Sequence, residues 1–200
     1  MQQTQLFRFQ GPVAGVDEAG RGPLAGPVVA SAVILPADDE LEGLDDSKKL
    51  TAARRDDLAA EIKRRAVAWS VAWCDAAEID AINILAATML AMRRAVLGLS
   101  VLPVAIRVDG NRLPDLRFNG SHIQGEAIVG GDGKVAAISA ASIIAKTTRD
   151  AFMERMDRLY PGYDFKRHKG YGTELHRECL RRKGPCDLHR RSFAPVRMAG

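Results

Sequence analysis

The chain is poor in sulfur and has no long apolar run, and each shortage narrows what it can be. Three cysteines in 200 residues, Cys74, Cys179 and Cys186, are too few and too odd in number for a disulfide framework, which excludes a small stapled scaffold. The longest apolar stretch, residues 81–92, is interrupted by Asn83 and Thr88. It has the length of a buried helix, and no membrane span is expected. No charged, then apolar, then small-residue leader opens the sequence, so a reducing cytoplasm is the expected compartment. A Walker A loop is also missing, and Gly20, Gly22 and Gly26 do not keep the G-x-G-x-x-G spacing, with Pro23 following directly. Nucleotide-driven motor chemistry and a dinucleotide fingerprint are therefore set aside. Ser, His and Asp show no arrangement that reads as a nucleophilic triad.

What is present is an apolar fraction of 46%, enough for one sizeable core. A monomer is expected. The net charge of +4 is mild but unevenly spread. Acids gather at 38–46, whereas the last third carries "FKRHKGYG", "LRRKG" and "HRRSF". A basic face of this kind suits a polyanionic partner.

Residues 12–18 and 27–35 read as strands joined by a glycine turn, and 67–74 as a third strand with β-branched and aromatic content. The charged segment 51–65 is helix-prone. Residues 75–99 read as one long helix, capped by Asp75 and ended by Gly98. Short strands are expected at 104–109 and near 127–129. A helix over 135–160 stops at Pro161, a loop rich in glycine and lysine follows, and 173–183 closes as a helix. This order predicts an α/β fold: a mixed sheet flanked by helices, with a small helical C-terminal part.

The chemistry gathers where strands end. "GVDEAGRGPLAGP" runs an apolar strand into Asp17 and Glu18, "RVDGN" runs another into Asp109, and "IVGGDGK" places Asp132 ahead of a helix. In open α/β sheets, ligands bind beyond the carboxyl ends of strands. Carboxylates brought together repel unless protonated or bridged by cations, and oxygen donors without imidazole or thiolate suit Mg²⁺ or Mn²⁺. Neighbours on a strand face opposite ways, so Asp17 and Glu18 share a site only where the strand ends or bends. Asp115 and Asp150 remain alternatives to Asp132. His176, Cys179, Cys186 and His189 offer zinc-like spacings, but Cys179 falls mid-helix and the clip is a poor one. A non-catalytic binder of hybrid duplexes would use the same basic surface without needing the four acids.

Together, "GVDEAGRGPLAGPVVASAVIL", "LDDSKKL", "VDGN", "ISAASIIAKTTRD", "YPGYDFKRHKGYGT" and "HRRSF" resemble, in order, the signature blocks of the bacterial type 2 ribonuclease H family, ribonuclease HII. The resemblance spans nearly the whole chain. It implies a ribonuclease H-like fold: a catalytic domain over 1–160 and a helical, substrate-binding extension over 161–200. The implied activity is metal-dependent cleavage, with two divalent ions, of RNA paired with or joined to DNA. The family's four acids fall on Asp17, Glu18, Asp109 and Asp132, its glycine-arginine-glycine turn on Gly20, Arg21 and Gly22, and its junction-sensing tyrosine on Tyr171. Lys48 and Lys49, with the stripe Ser139, Ser142, Lys146 and Arg149, are further candidates for contacts to phosphates or metal-bound water. "QTQLF", residues 3–7, fits loosely the Q-x-x-L-F pattern by which replication proteins dock on a sliding clamp.

Overall fold

The computed structural model describes residues 9–37, 51–118 and 120–199, with Phe118 given by its backbone alone. Lys48, Lys49 and the "QTQLF" segment lie outside the described residues. Val13–Ala19 (β1) and Val28–Ile34 (β2) pair antiparallel. After the helix Ala52–Arg65 (α1), Ala68–Cys74 (β3) joins the other edge of β2, again antiparallel. Ala76–Leu97 (α2) leads to Ala105–Asp109 (β4), which runs parallel to β1. A two-residue hairpin, Arg117–Phe118 (β5) with Ser121–His122 (β6), precedes Gln124–Ile128 (β7), parallel to β4. The sheet order β3-β2-β1-β4-β7 sets β1 at the centre of a mixed sheet. A single 3₁₀ turn, Gly131–Gly133, then introduces Ala136–Leu159 (α3), followed by Phe165–His168 (α4), Glu174–Lys183 (α5) and Ala194–Arg197 (α6).

Both faces of the sheet are covered, which is why β2 reads as VVASAVI, apolar but for Ser31, and is buried throughout. Ile79, Ala91, Met92 and Val96 of α2 pack on Ala14, Val16, Ala30, Ala32 and Ile34. On the other face, Ile143 and Ile144 of α3 and Leu58 and Ile62 of α1 meet at Val33. Each fully buried aliphatic side chain contributes roughly 1.5–3 kcal/mol. The approach of α3 to β1 depends on Gly15: a Cβ there would collide with the backbone of Ala137 and Ile138. Asp17, two residues on, points to the same face as Gly15 and so meets α3.

The expected long helix is present but broken. Asn83 has φ +67° inside α2, and its Oδ1 accepts from the N–H groups of Leu85 and Ala86. It thus acts as an internal N-cap for a second helical segment. The strand expected near 127–129 begins earlier, at Gln124, because its partner in register is β4 rather than any apolar pattern of its own.

The C-terminal segment folds back onto the turn between β1 and β2. Ala25 bridges to His189, Gly26 N–H donates to Leu188 O at 2.8 Å, and Arg190 N–H donates to Leu24 O at 2.9 Å. Ala25, Met153, Tyr163, Phe165 and Cys179 form one apolar cluster across this junction.

Candidate active site

β1 and β4 lie side by side and parallel, so Asp17 and Asp109 emerge at the same end of the sheet. The 3₁₀ turn after β7 brings Asp132 to them, and oxygens of the three carboxylates lie within 4.8 Å of one another. Each acid is held. Asp17 Oδ1 accepts the Glu18 N–H at 2.7 Å, and its carboxylate takes the Ser142 hydroxyl from α3. Asp109 Oδ1 accepts from Gly131 N–H at 2.7 Å, which ties the β4 terminus to the turn that carries Asp132. Burial, then the charges of Glu18 and Asp109, push the Asp17 carboxyl well above its ordinary range. Glu18 is raised too, by burial first, with Arg21 opposing.

Of the four acids expected from sequence, three converge and Glu18 stands at the side, its Oε1 3.3 Å from Arg21 Nη1. Asp132 is buried. The alternatives lie elsewhere in structure: Asp115 is exposed and paired with Arg117 at 2.9 Å, and Asp150 takes Lys146 Nζ at 2.8 Å.

A cleft of about 290 Å³ opens over these acids, lined by Asp17, Glu18, Asp109, Ser142, Lys146, Tyr171 and the turn Gly20, Arg21, Gly22. The two glycines of the turn differ. Gly20 has φ +97°, a conformation that favours glycine, and a Cβ there would meet Arg149 Nε. Gly22 has no atom within 4 Å of where its Cβ would be, so the fold does not demand glycine there. The bare backbone leaves the cleft open to a ligand.

Beneath this turn lie two arginines, Arg149 from the stripe offered for phosphate contacts and Arg190 from the basic "HRRSF" segment. Arg149 and Arg190 are fully buried. Among the described residues neither pairs with a carboxylate; both donate to main-chain carbonyls, and Arg149 Nη1 is left buried without a partner. Arg149 donates from Nε to Pro27 O at 3.0 Å and from Nη2 to Ala25 O at 3.1 Å. Arg190 donates to Gly26 O at 3.0 Å, Arg21 O at 2.9 Å and Gly20 O at 2.5 Å. Burial, then the neighbouring Arg149 charge, lowers Arg190 to about 9. Arg149 therefore supports the turn from below instead of touching phosphates.

Tyr171 is 44% exposed at the cleft wall, with Lys146 Nζ and Arg149 Cζ each 5.8 Å from its ring centroid. Ser139 is buried in the first turns of α3 and does not line the cleft. The zinc-like set is engaged internally. His176 Nε2 and His189 Nε2 are 3.1 Å apart, and His189 Nδ1 faces Cys186. Among the described residues only Asp17, Asp109 and Asp132 gather as a metal-ligating group. From sequence His176 and His189 offer only a poor zinc clip and Arg190 only basic charge; their partners in the structure are backbone atoms and one another.

A central strand and its parallel neighbour, both ending in carboxylates over an open cleft, define an α/β protein with an all-oxygen site suited to hard divalent cations. Comparison with known proteins narrows the class. The chain belongs to the ribonuclease HII family, whose model matches residues 14–196. It is 61% identical over 186 residues to ribonuclease HII of Delftia acidovorans, covering 93% of this chain and 77% of that one. The crystal structure of ribonuclease H2 from Pyrococcus horikoshii superposes with a TM-score of 0.79 at 28% identity, over 94% of this chain and 96% of that one. The RNase HII in a PCNA complex from Archaeoglobus fulgidus gives 0.75 at 27%, over 91% and 95%. The chain is therefore an endoribonuclease, and the reading as a non-catalytic binder is set aside.

Proposed function

We propose that the protein hydrolyses the RNA strand of RNA/DNA hybrids and cuts duplex DNA on the 5′ side of an embedded ribonucleotide, leaving 3′-hydroxyl and 5′-phosphate ends. One observation carries this reading: three carboxylates converge, and two of them, Asp17 and Asp109, line a cleft with an uncovered backbone turn and an exposed tyrosine. The all-oxygen donor set, with Asp17 burdened by burial and like charge, fits hard divalent cations. Asp17, Asp109 and Asp132, with Glu18 beside them, would hold two ions, Mg²⁺ or Mn²⁺. Bound there, such ions polarise a phosphoryl oxygen and acidify water.

The chain's own residues do the selecting. Ser142 fixes the Asp17 carboxylate by its hydroxyl. The Gly20–Gly22 backbone, with its Arg21 carbonyl drawn inward by Arg190, presents polar groups to a ribose 2′-OH, which is both donor and acceptor. Arg21 and Lys146 supply positive charge for phosphates. Lys48 and Lys49 are assigned the same role from sequence alone, as is Ser139 a supporting one. Tyr171 stacks on the sugar that follows the ribonucleotide; a deoxyribose offers the ring a flat apolar face, and a ribose would put its 2′-OH there. Residues 161–200 serve as the substrate-binding extension, and the protein works as a cytoplasmic monomer.

The test is a DNA duplex carrying one ribonucleotide, incubated with Mg²⁺, Mn²⁺ or EDTA. Metal-dependent cutting 5′ to the ribonucleotide supports the reading; cutting elsewhere, or in EDTA, removes it. The "QTQLF" segment is proposed as a weak clamp contact, supported by the Archaeoglobus relative having been solved with PCNA. Clamp affinity unchanged on replacing Leu6 and Phe7 by alanine would dispose of it.

A further inference from the structure

Two neighbouring residues outside the acid cluster hold both walls of the cleft. Arg190, as described, takes the carbonyls of Gly20 and Arg21. His189, next in the chain, reaches the other wall through a chain of hydrogen bonds whose direction the donors fix. Cys186 N–H donates to His189 Nδ1 at 3.0 Å. In a neutral imidazole the proton then sits on Nε2, which donates to His176 Nε2 at 3.1 Å. His176 must then carry its proton on Nδ1, and this donates to the carbonyl of Tyr171 at 3.0 Å. The tautomers follow from the network rather than from observed hydrogens, and they are mutually consistent.

The chain is sealed. His176 and His189 are buried, and His176 stacks on His168 with centroids 4.2 Å apart. His168 in turn accepts from Gly170 N–H at 3.1 Å and bonds Tyr163 O at 2.7 Å. The two walls also touch directly, since Leu24 N–H donates to Gly170 O at 2.8 Å. A rigid frame thus joins the turn at 20–22 to the segment that presents Tyr171.

We propose that His189 and Arg190 are positioning residues that fix the Gly20–Gly22 backbone and Tyr171 relative to each other, so that His189 sets the preference for a ribonucleotide–deoxyribonucleotide junction and Arg190 sets recognition of the ribose itself. This rests on the junction reading of Tyr171 given above. The two residues have separable signatures. The 2′-OH is present in both an embedded ribonucleotide and a continuous hybrid, so loosening the turn weakens both alike. The tyrosine contact discriminates between the substrates, so loosening it changes their ratio.

The experiment measures kcat/KM for a duplex with one ribonucleotide and for a continuous RNA/DNA hybrid, with thermal scans to confirm folding. His189→Phe keeps the ring packed against Tyr163 and Phe165 but cannot hydrogen-bond. It should lower the single-ribonucleotide to hybrid ratio by several-fold and up to about tenfold, and His189→Gln, whose amide can donate to His176, should recover much of it. In a Tyr171→Ala background His189→Phe should leave the ratio where Tyr171→Ala puts it. Arg190→Lys keeps the charge and loses the fork that spans three carbonyls; both substrates should fall together with the ratio unchanged. Should His189→Phe not fold, His176→Asn, which retains a donor near the Nδ1 position, and His176→Phe make the same comparison one bond nearer the tyrosine. A ratio unmoved in His189→Phe while Tyr171→Ala shifts it overturns this proposal alone. A ratio unmoved in Tyr171→Ala overturns the junction reading beneath it.

Discussion

The guanidinium of Arg149 fills the space that a side chain at residue 20 would need, while the space beside Gly22 is empty. The two glycines of the turn should therefore fail differently. Gly20→Ala meets both a positive φ and a buried, anchored arginine, and should cost about 2–4 kcal/mol of stability along with activity. Gly22→Ala should leave the thermal midpoint within a degree or two of the parent and still lose most cleavage, because its methyl group enters the cleft. Equal melting shifts in the two variants would show that the turn is not divided in this way.

Asp17→Asn, Asp109→Asn and Asp132→Asn should each abolish turnover, while melting in metal-free buffer stays equal to the parent or rises. Removing one charge from a crowded, buried set relieves repulsion, and Asn keeps an acceptor for Glu18 N–H or Gly131 N–H. Because Asp132 is buried and Asp109 only half-buried, Asp132 should be at least as damaging as Asp109. Glu18→Gln, beside the group rather than in it, should lose less. Paired thermal scans and single-turnover assays check all four.

Tyr171→Ala should reduce cleavage of a single embedded ribonucleotide about tenfold, with a smaller loss on continuous hybrid. Stacking of nucleic acid on an aromatic ring is worth about 1–3 kcal/mol, and a sugar contact belongs at the low end. An exposed ring contributes little to folding, so the variant should melt with the parent.

Stability should fall on the acid side as two buried histidines are forced to charge. His176 and His189 are held to about 4, by burial first and then by a neighbouring histidine, against an ordinary 6.5. Between those values the unfolded chain takes up protons that the folded chain refuses. The contribution is therefore complete above about pH 6.5 and is lost toward pH 4, at roughly 1.4 kcal/mol per pH unit for each histidine. Denaturant titrations from pH 7 to 4 should show that slope, and His189→Gln should flatten it.

The strand-end acids were legible because an apolar run ending in Asp or Glu before glycine is a pattern with a physical meaning, and β1 and β4 did prove to be parallel neighbours. The depth of a charge was not legible. Arg149 and Arg190 read from sequence as surface because composition gives sign and not burial, and the carbonyls that solvate them belong to residues of any type. Asn83 was read as an interruption in an apolar run, whereas its side chain restarts a helix. The histidine chain was weighed only as a zinc clip, since spacing shows which residues recur and not which way their protons point.

Arg190 and Gly20 are 170 positions apart in the chain, and this separation has a consequence in time. At about 5–20 residues per second, on the order of ten to thirty seconds of translation pass between the two. By the end of that interval the acids at positions 17, 109 and 132 have all been made, but the turn proposed to read a ribose still has no anchor. A nascent chain of this protein, still tethered to its ribosome and messenger, thus carries the acids assigned to cutting before it carries the arginine proposed to fix the turn that chooses what is cut.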